Sequence, residues 1–451
     1  MKNIKKTVCL IVGAAMLATL AGCNNFLGTG AKKVKKISEN KMSENFVSTS
    51  DLGIQPGDKN CSDKINKAIN EGKSIYFESG KYYFSEPIQL KNSQLIGTGL
   101  TGTYLVATTD KALVEADGCF AIKDLQLASQ KVDGKEKQGE KVLIQLGKHG
   151  GVTEGSVISR VQFGDCGTGI YEAADADPTE GLSVDTVEFS NISYAGFDFM
   201  SNGRKNNRIS NAYIGRIGNG NNDFANVGAR FAGKEENLAL DQINIEHFRA
   251  ETSLLFDGVK NLDVSSVHIE GMDIAKQGNG YVECNNTDGN LGNIVVYWSR
   301  VSYENSSCLL LGNAAKDGSE LYIGELQFKG VNDPASFHGK WDNRGIKDNG
   351  YRIVDRKKDA KNEYRITVDN YVWFSYQNDR NALAAFPCDE DNVTYLKKGN
   401  VRAFGTTEQR PNLCLCKGYT TYYDTTLGKL LIYNGTDWSE YTEAAIKSKI
   451  K

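Results

Sequence analysis

One template recurs eight times along this chain: an apolar residue, two spacers, an apolar residue, one spacer and a final apolar residue. The copies are Ile122-Leu125-Leu127, Ile158-Val161-Phe163, Val184-Val187-Phe189, Ile209-Ala212-Ile214, Leu240-Ile243-Ile245, Val264-Val267-Ile269, Trp298-Val301-Tyr303 and Ile323-Leu326-Phe328. Their last positions lie 24 to 36 residues apart. Between them falls a second strand type, seen at Val142-Ile144-Leu146, Phe197-Phe199, Ala229-Phe231 and Leu309-Leu311. Two or three short strands per turn of roughly 25 residues make a solenoid coil whose inner side chains are buried only when coils stack. Leucine-rich repeats would show helices and a fixed leucine/asparagine signature, and a β-sandwich gives no reason for eight copies in one register. The fold expected is all-β, a right-handed parallel β-helix.

An open solenoid end exposes apolar core and unpaired strand edge, so it needs a cover. The segment from Ser62 to Gly72 supplies one, with Ser62 as the expected N-cap, Ile65, Ala68 and Ile69 on one helical face, and Gly72 as the stop. Together with Asp51-Leu52-Gly53, Pro56-Gly57-Asp58, the strand Ser74 to Tyr83 and Leu95-Ile96-Gly97-Thr98-Gly99, this stretch resembles the N-terminal signature of the pectate-lyase-like β-helix superfamily. That superfamily includes polygalacturonase-like enzymes and phage tailspikes. The resemblance covers about fifty residues and implies the fold and a polysaccharide partner, without specifying a reaction. Glu78-Ser79 stands where prolines are common in the family.

The chain starts with Lys2, Lys5 and Lys6, an apolar run from Val8 to Leu20, and then Ala21-Gly22-Cys23. This reads as a secretory signal peptide ending in a lipobox, with Cys23 the acylated residue. Acyl chains there would hold the protein at a bacterial membrane, extracytoplasmically, in the cell envelope. The expected organisation is a signal peptide over 1–22, a flexible tether over 23–50 containing Lys32-Lys33-Val34-Lys35-Lys36, the β-helix over 51–331, an irregular connecting region over 332–400 and a small β-meander over 401–451. Asn434-Gly435 between aromatic strands signals a hairpin in that last module. The module also resembles a terminal segment of phage tail and prophage proteins, which implies an attachment role and leaves a homotrimer open. Its Tyr422, Tyr423, Tyr433 and Trp438 are read mainly as its own core, with sugar stacking as the alternative.

Loss of the leader removes three of 53 basic residues and none of 56 acidic ones, leaving a net charge of −6 that disfavours nucleic acid as a partner. Nucleotide-binding glycine loops, HExxH and a serine elbow are all missing, and four histidines make a histidine-rich metal site improbable. The eight cysteines left after Cys9 and Cys23 are scattered apart from Cys414 and Cys416, and read as small buried residues.

The polar signal comes from aligning the repeat. The residue after its last apolar position is Ala128, Gly164, Ser190, Gly215, Glu246, Glu270, Glu304 and Lys329, so three consecutive coils are expected to place Glu246, Glu270 and Glu304 in one column. Adjacent strands lie ~4.8 Å apart, close to the ~5 Å between the carboxyl groups of a retaining glycosidase. The next outward position carries Asn244, His268 and Ser302, with Arg300 close by. The expected catalytic set is Glu246, Glu270, Glu304 and His268, with Asn244, Arg300 and Asp257 as substrate-binding residues; Asp257 and the further candidate Asp273 are expected on turns beside the column. Such a mixture suits hydrolysis of a glycosidic bond, or β-elimination from a uronate with Arg300 neutralising the sugar carboxylate. The same column could hold a Ca²⁺ ion or be plain solvated surface; no other cofactor is implied. The expected function is carbohydrate recognition at the cell surface by a hydrolase or lyase, and the competing expectation is a non-catalytic adhesin that displays its C-terminal module.

Overall fold

The two spacers of the template mark a corner. In five successive coils the second spacer, Asp124, Arg160, Thr186, Asn211 or Gln242, has φ between 51° and 58°, a left-handed conformation that turns the chain within one residue. The computed structural model describes residues 45–130, 136–215, 227–246, 249–270, 273–274, 280–298, 307–316, 318–330, 352–357, 359–362, 364–375, 403–407, 420–433 and 438–442. Before the corner, Ile122, Ile158, Val184, Ile209, Leu240, Val264, Leu291 and Ile323 are register partners on neighbouring parallel strands of the first face. After it, Leu125, Val161, Val187, Ala212, Ile243, Val267, Ile294 and Leu326 stack on the second face. A third face runs from Ile88–Lys91 through Val114–Asp117 and Val142–Leu146 to Ser307–Leu311 and Arg352–Arg356.

The template's apolar residues turn inward, and with the buried apolar residues of the third face they form one continuous core. Its middle is aromatic. Phe163 stacks on Phe189 with centroids 4.5 Å apart, Phe197 meets Phe231 at 6.2 Å, and Phe231 lies 5.9 Å from Phe256. Where the third face returns to the first, Asn206, Asn237 and Asn261 are again left-handed. They form an amide ladder: Asn237 Nδ2 donates to Asn206 Oδ1 (2.8 Å) and Asn261 Nδ2 to Asn237 Oδ1 (3.1 Å).

The helix Ser62–Asn70 covers the N-terminal end with Ile65, Ala68 and Ile69 buried, as the pattern predicts. Ser62 is not its N-cap. That position falls to Cys61, without a side-chain cap, and the buried Ser62 hydroxyl instead donates to the Glu86 carbonyl at 2.8 Å. Gly72 does end the turn, with φ of +77° and its N–H on the Ile69 carbonyl at 2.8 Å.

The seventh copy of the template is not Trp298-Val301-Tyr303. The coil after Val264-Val267-Ile269 is built by Leu291-Ile294-Val296, in register with it residue for residue. Both stretches satisfy the template, and backbone pairing selects the earlier one; Val301 and Tyr303 lie outside the described residues. Stacking also continues past Val331, because Arg352–Arg356 and Tyr364–Ser375 pair in parallel with the preceding strands. The C-terminal sheet comprises Ala403–Gly405, Thr420–Asp424, Lys429–Tyr433 and Trp438–Glu440. Its first pair is parallel and the rest antiparallel, and Tyr433 pairs with Trp438. Tyr423, expected inside this module, is exposed.

Cys61, Cys166, Cys284 and Cys308 are buried free thiols and Cys119 is exposed. Among the described residues no helix is long and apolar enough to cross a membrane. The expected leader and Cys23 lie outside them.

Candidate functional site

Side chains alternate across a strand, so the residues between and after the inward positions of the second face form two outward rows. One row reads Tyr213, Asn244, His268 and Val295; the other reads Gly215, Glu246 and Glu270, with Tyr297 the next register partner of Glu270. Glu246 and Glu270 are therefore neighbours on adjacent coils, as the alignment predicts, and Asn244 is the neighbour of His268. The column does not continue to Glu304. Tyr297 holds the next place and Val295 takes the one expected for Ser302, because the coil is built seven residues earlier than the alignment assumes; Glu304 and Arg300 lie outside the described residues.

The cluster is tied together by short-range bonds. Asn244 Nδ2 donates to Glu246 Oε1 at 2.7 Å, and the Tyr213 hydroxyl reaches Glu246 Oε2 from the preceding coil at 3.3 Å. His268 Nε2 lies 3.1 Å from Glu270 Oε2. Donor atoms of Glu246, His268 and Glu270 all fall within 4.8 Å of one another, a set that could also hold a divalent cation. The Glu270 side chain is 48% exposed and that of His268 is 35% exposed, so ligands approach from solvent. Beside them an open groove of about 470 Å³ runs along the corner between the first and second faces, lined among others by Tyr213, Asn244, His268, Asn211, Asn293 and Val295.

Asp257 is elsewhere. It sits within the strand Thr252–Lys260 on the third face, in register with Ala232 and Asn285, rather than on a turn beside the column. Burial pushes its carboxyl above the usual range, offset in part by a 3.5 Å hydrogen bond from Asn286. Asp273 pairs with Arg249 in a two-stranded ribbon.

Two charged groups that the repeat alignment overlooks belong to the third face and its edge. Asp198, fully buried, accepts hydrogen bonds from Arg230 Nε (2.6 Å) and Nη2 (2.8 Å) and from the Gln138 amide (3.1 Å). The outward alternation on that face puts Asp198 and Arg230 in register, and that spacing was the available signal. With its lone pairs occupied the pair clamps the segment bearing Gln138 onto the sheet. Nearby, the fully buried Arg204 donates to Glu235 at 3.0 Å and lies 3.7 Å from Glu172, whose other oxygen accepts from the Thr179 backbone and hydroxyl. Burial, against the opposing pull of Arg204, raises the Glu172 carboxyl to about 7.

A family model described as rhamnogalacturonase A/epimerase, pectate lyase-like, matches residues 46–135, the stretch that carries the sequence resemblance. Among solved structures the chain is similar to the Agl-KA catalytic domain, with TM-score 0.48 and 12% identity over 79% of this chain and 68% of that one. It is also similar to the A-module of an Azotobacter vinelandii mannuronan C-5 epimerase, with TM-score 0.44 and 13% identity over 78% and 98%. An Acinetobacter phage tailspike gives TM-score 0.41 and 11% identity over 88% and 66%. No curated protein matches the chain.

Proposed function

We propose that this protein binds a polysaccharide along the outer second face of its β-helix and cleaves a glycosidic bond at Glu246 and Glu270, while lipid on Cys23 holds it at the bacterial cell envelope. The observation that carries the reading is the pair of carboxyl groups on adjacent coils, with ligand atoms within 4.8 Å of one another, beside a groove lined by amide and apolar side chains. Stacked coils lie ~4.8 Å apart, near the roughly 5 Å between the carboxyl groups of retaining glycosidases, in which one carboxyl protonates the leaving oxygen, the other attacks the anomeric carbon, and water activated by the first then releases the sugar from the second. Glu246, oriented by Asn244 and Tyr213, is assigned the nucleophile, and Glu270, beside His268, the proton donor. The pectate-lyase-like match over the N-terminal coils supports a glycan as the substrate class.

The test is a degradation screen with the purified protein on pectic, alginate and neutral glucan polymers, with and without Ca²⁺. New reducing ends would report hydrolysis, and unsaturated-uronate absorbance would report elimination. Glu270→Gln is expected to abolish reducing-end release while leaving polymer binding intact. Binding without any turnover, unchanged in Glu270→Gln, would replace the enzyme by an adhesin. The exposure of Glu270 and the attachment of each carboxylate to its own strand neighbour are the observations that favour that second reading.

A further inference from the structure

Tyr213 does not stand off its strand as an outward side chain ordinarily does. A Cβ placed on Gly215 would lie 2.6 Å from its Cε1, 2.9 Å from its Cζ and 2.9 Å from its hydroxyl oxygen. The phenol is therefore laid along the strand, across the residue two places on, which shares its face. Gly215 has no positive φ that would call for glycine, so its backbone does not explain it. The ring does: an alanine methyl there would overlap it. Elsewhere in the same column Ala128 and Ser190 carry a Cβ, and at Gly164 an added Cβ would meet its nearest atom, Gln126 Nε2, at an ordinary 3.5 Å. Gly215 is thus set apart in this column by what lies over it.

The hydroxyl of the flattened ring reaches Glu246 on the next coil, and the ring lines the groove together with Asn244 and His268. An aromatic face beside a carboxyl pair, at the margin of a groove of amides, is the chemistry that takes a pyranose: its C–H face packs on the ring and its hydroxyls meet the amides. We propose that Tyr213 is the stacking platform for the sugar unit next to the bond that is broken, and that Gly215 lays it down. The inference rests on the polysaccharide reading of Glu246 and Glu270 and goes beyond it by assigning a sugar-ring subsite.

The experiment measures binding of size-fractionated rhamnogalacturonan, mannuronan and glucan oligosaccharides by calorimetry, in the Glu270→Gln protein so that ligand is not consumed. Added to that background, Gly215→Ala and Tyr213→Ala are each expected to weaken binding about tenfold, Tyr213→Phe less than threefold, and Gly164→Ala not at all. Melting curves within a few degrees of the parent exclude misfolding as the cause. Should Gly215→Ala misfold, the comparison of Tyr213→Ala with Tyr213→Phe decides the matter alone. Equal affinity for all variants on a ligand that the parent binds would overturn the platform and leave the polysaccharide reading standing. A parent that neither binds nor cleaves any glycan in the panel would overturn both.

Discussion

Glu172 shows how a single residue ties this fold to pH. Its carboxyl is buried beside Arg204, which is shared with Glu235, and burial outweighs the guanidinium and raises it from 4.5 to about 7. Below pH 4.5 it is protonated in the folded and unfolded chain alike. Between there and pH 7 the unfolded chain gives up its proton while the folded chain keeps it, so stability is lost as pH rises and the loss is complete above 7. The difference amounts to about 3 kcal/mol. Glu172→Gln should therefore melt near the parent at pH 4 and well above it at pH 8; a melting difference independent of pH would sink the account. The repeat template gave no warning of this residue. Glu172 is in register with Leu146 and Phe199, both inward-facing and buried, and the template has no rule for a carboxylate at an inward position.

The coil is the element from which everything else is assembled, and its corner carries an avoidable strain. Thr186 holds the left-handed corner with φ of 53° although it is β-branched, whereas the next coil uses Asn211 with φ of 52°. Thr186→Asn should stabilise the protein by about 1 kcal/mol, read as a shift in the denaturation midpoint. Inside the coil, Phe231 sits between Phe197 and Phe256 at 1% exposure, and Phe231→Ala should cost about 3 to 5 kcal/mol by the same measurement. A cost under 1 kcal/mol would show that the stack relaxes around the gap. The template located these inward rows in seven of eight coils because it records burial directly. At the other, Leu291-Ile294-Val296 and Trp298-Val301-Tyr303 fit equally well, and only the hydrogen-bonded register that sets Tyr297 beside Glu270 separates them. Glu304 was placed in the column by that ambiguity, and Tyr213 was left out of the cluster because nothing in its spacing says that its ring lies down.

For the whole molecule, the ends matter as much as the coils. The helix Ser62–Asn70 closes the N-terminal end with Ile65 at 0% exposure. Ile65→Asp should expose the first coil and drive association through its core and edge, visible as aggregation by size-exclusion chromatography, while Glu71→Lys on the exposed side should leave a single species. In living bacteria Cys23→Ala should release the protein from the membrane fraction and prevent incorporation of labelled palmitate; retention in that fraction would contradict the lipid anchor. The sequence by itself determined the solenoid, its inward rows, its capping helix and the adjacency of Glu246 and Glu270, since periodicity in apolar residues is set by which face must leave water. Only the tertiary structure decided that Tyr297 follows Glu270, that Asp257 lies on another face, that Asp198 meets Arg230, and that Tyr213 lies flat over Gly215. Those facts depend on register and side-chain direction between coils, and a pattern that many registers satisfy cannot choose among them until backbone hydrogen bonds and packing do.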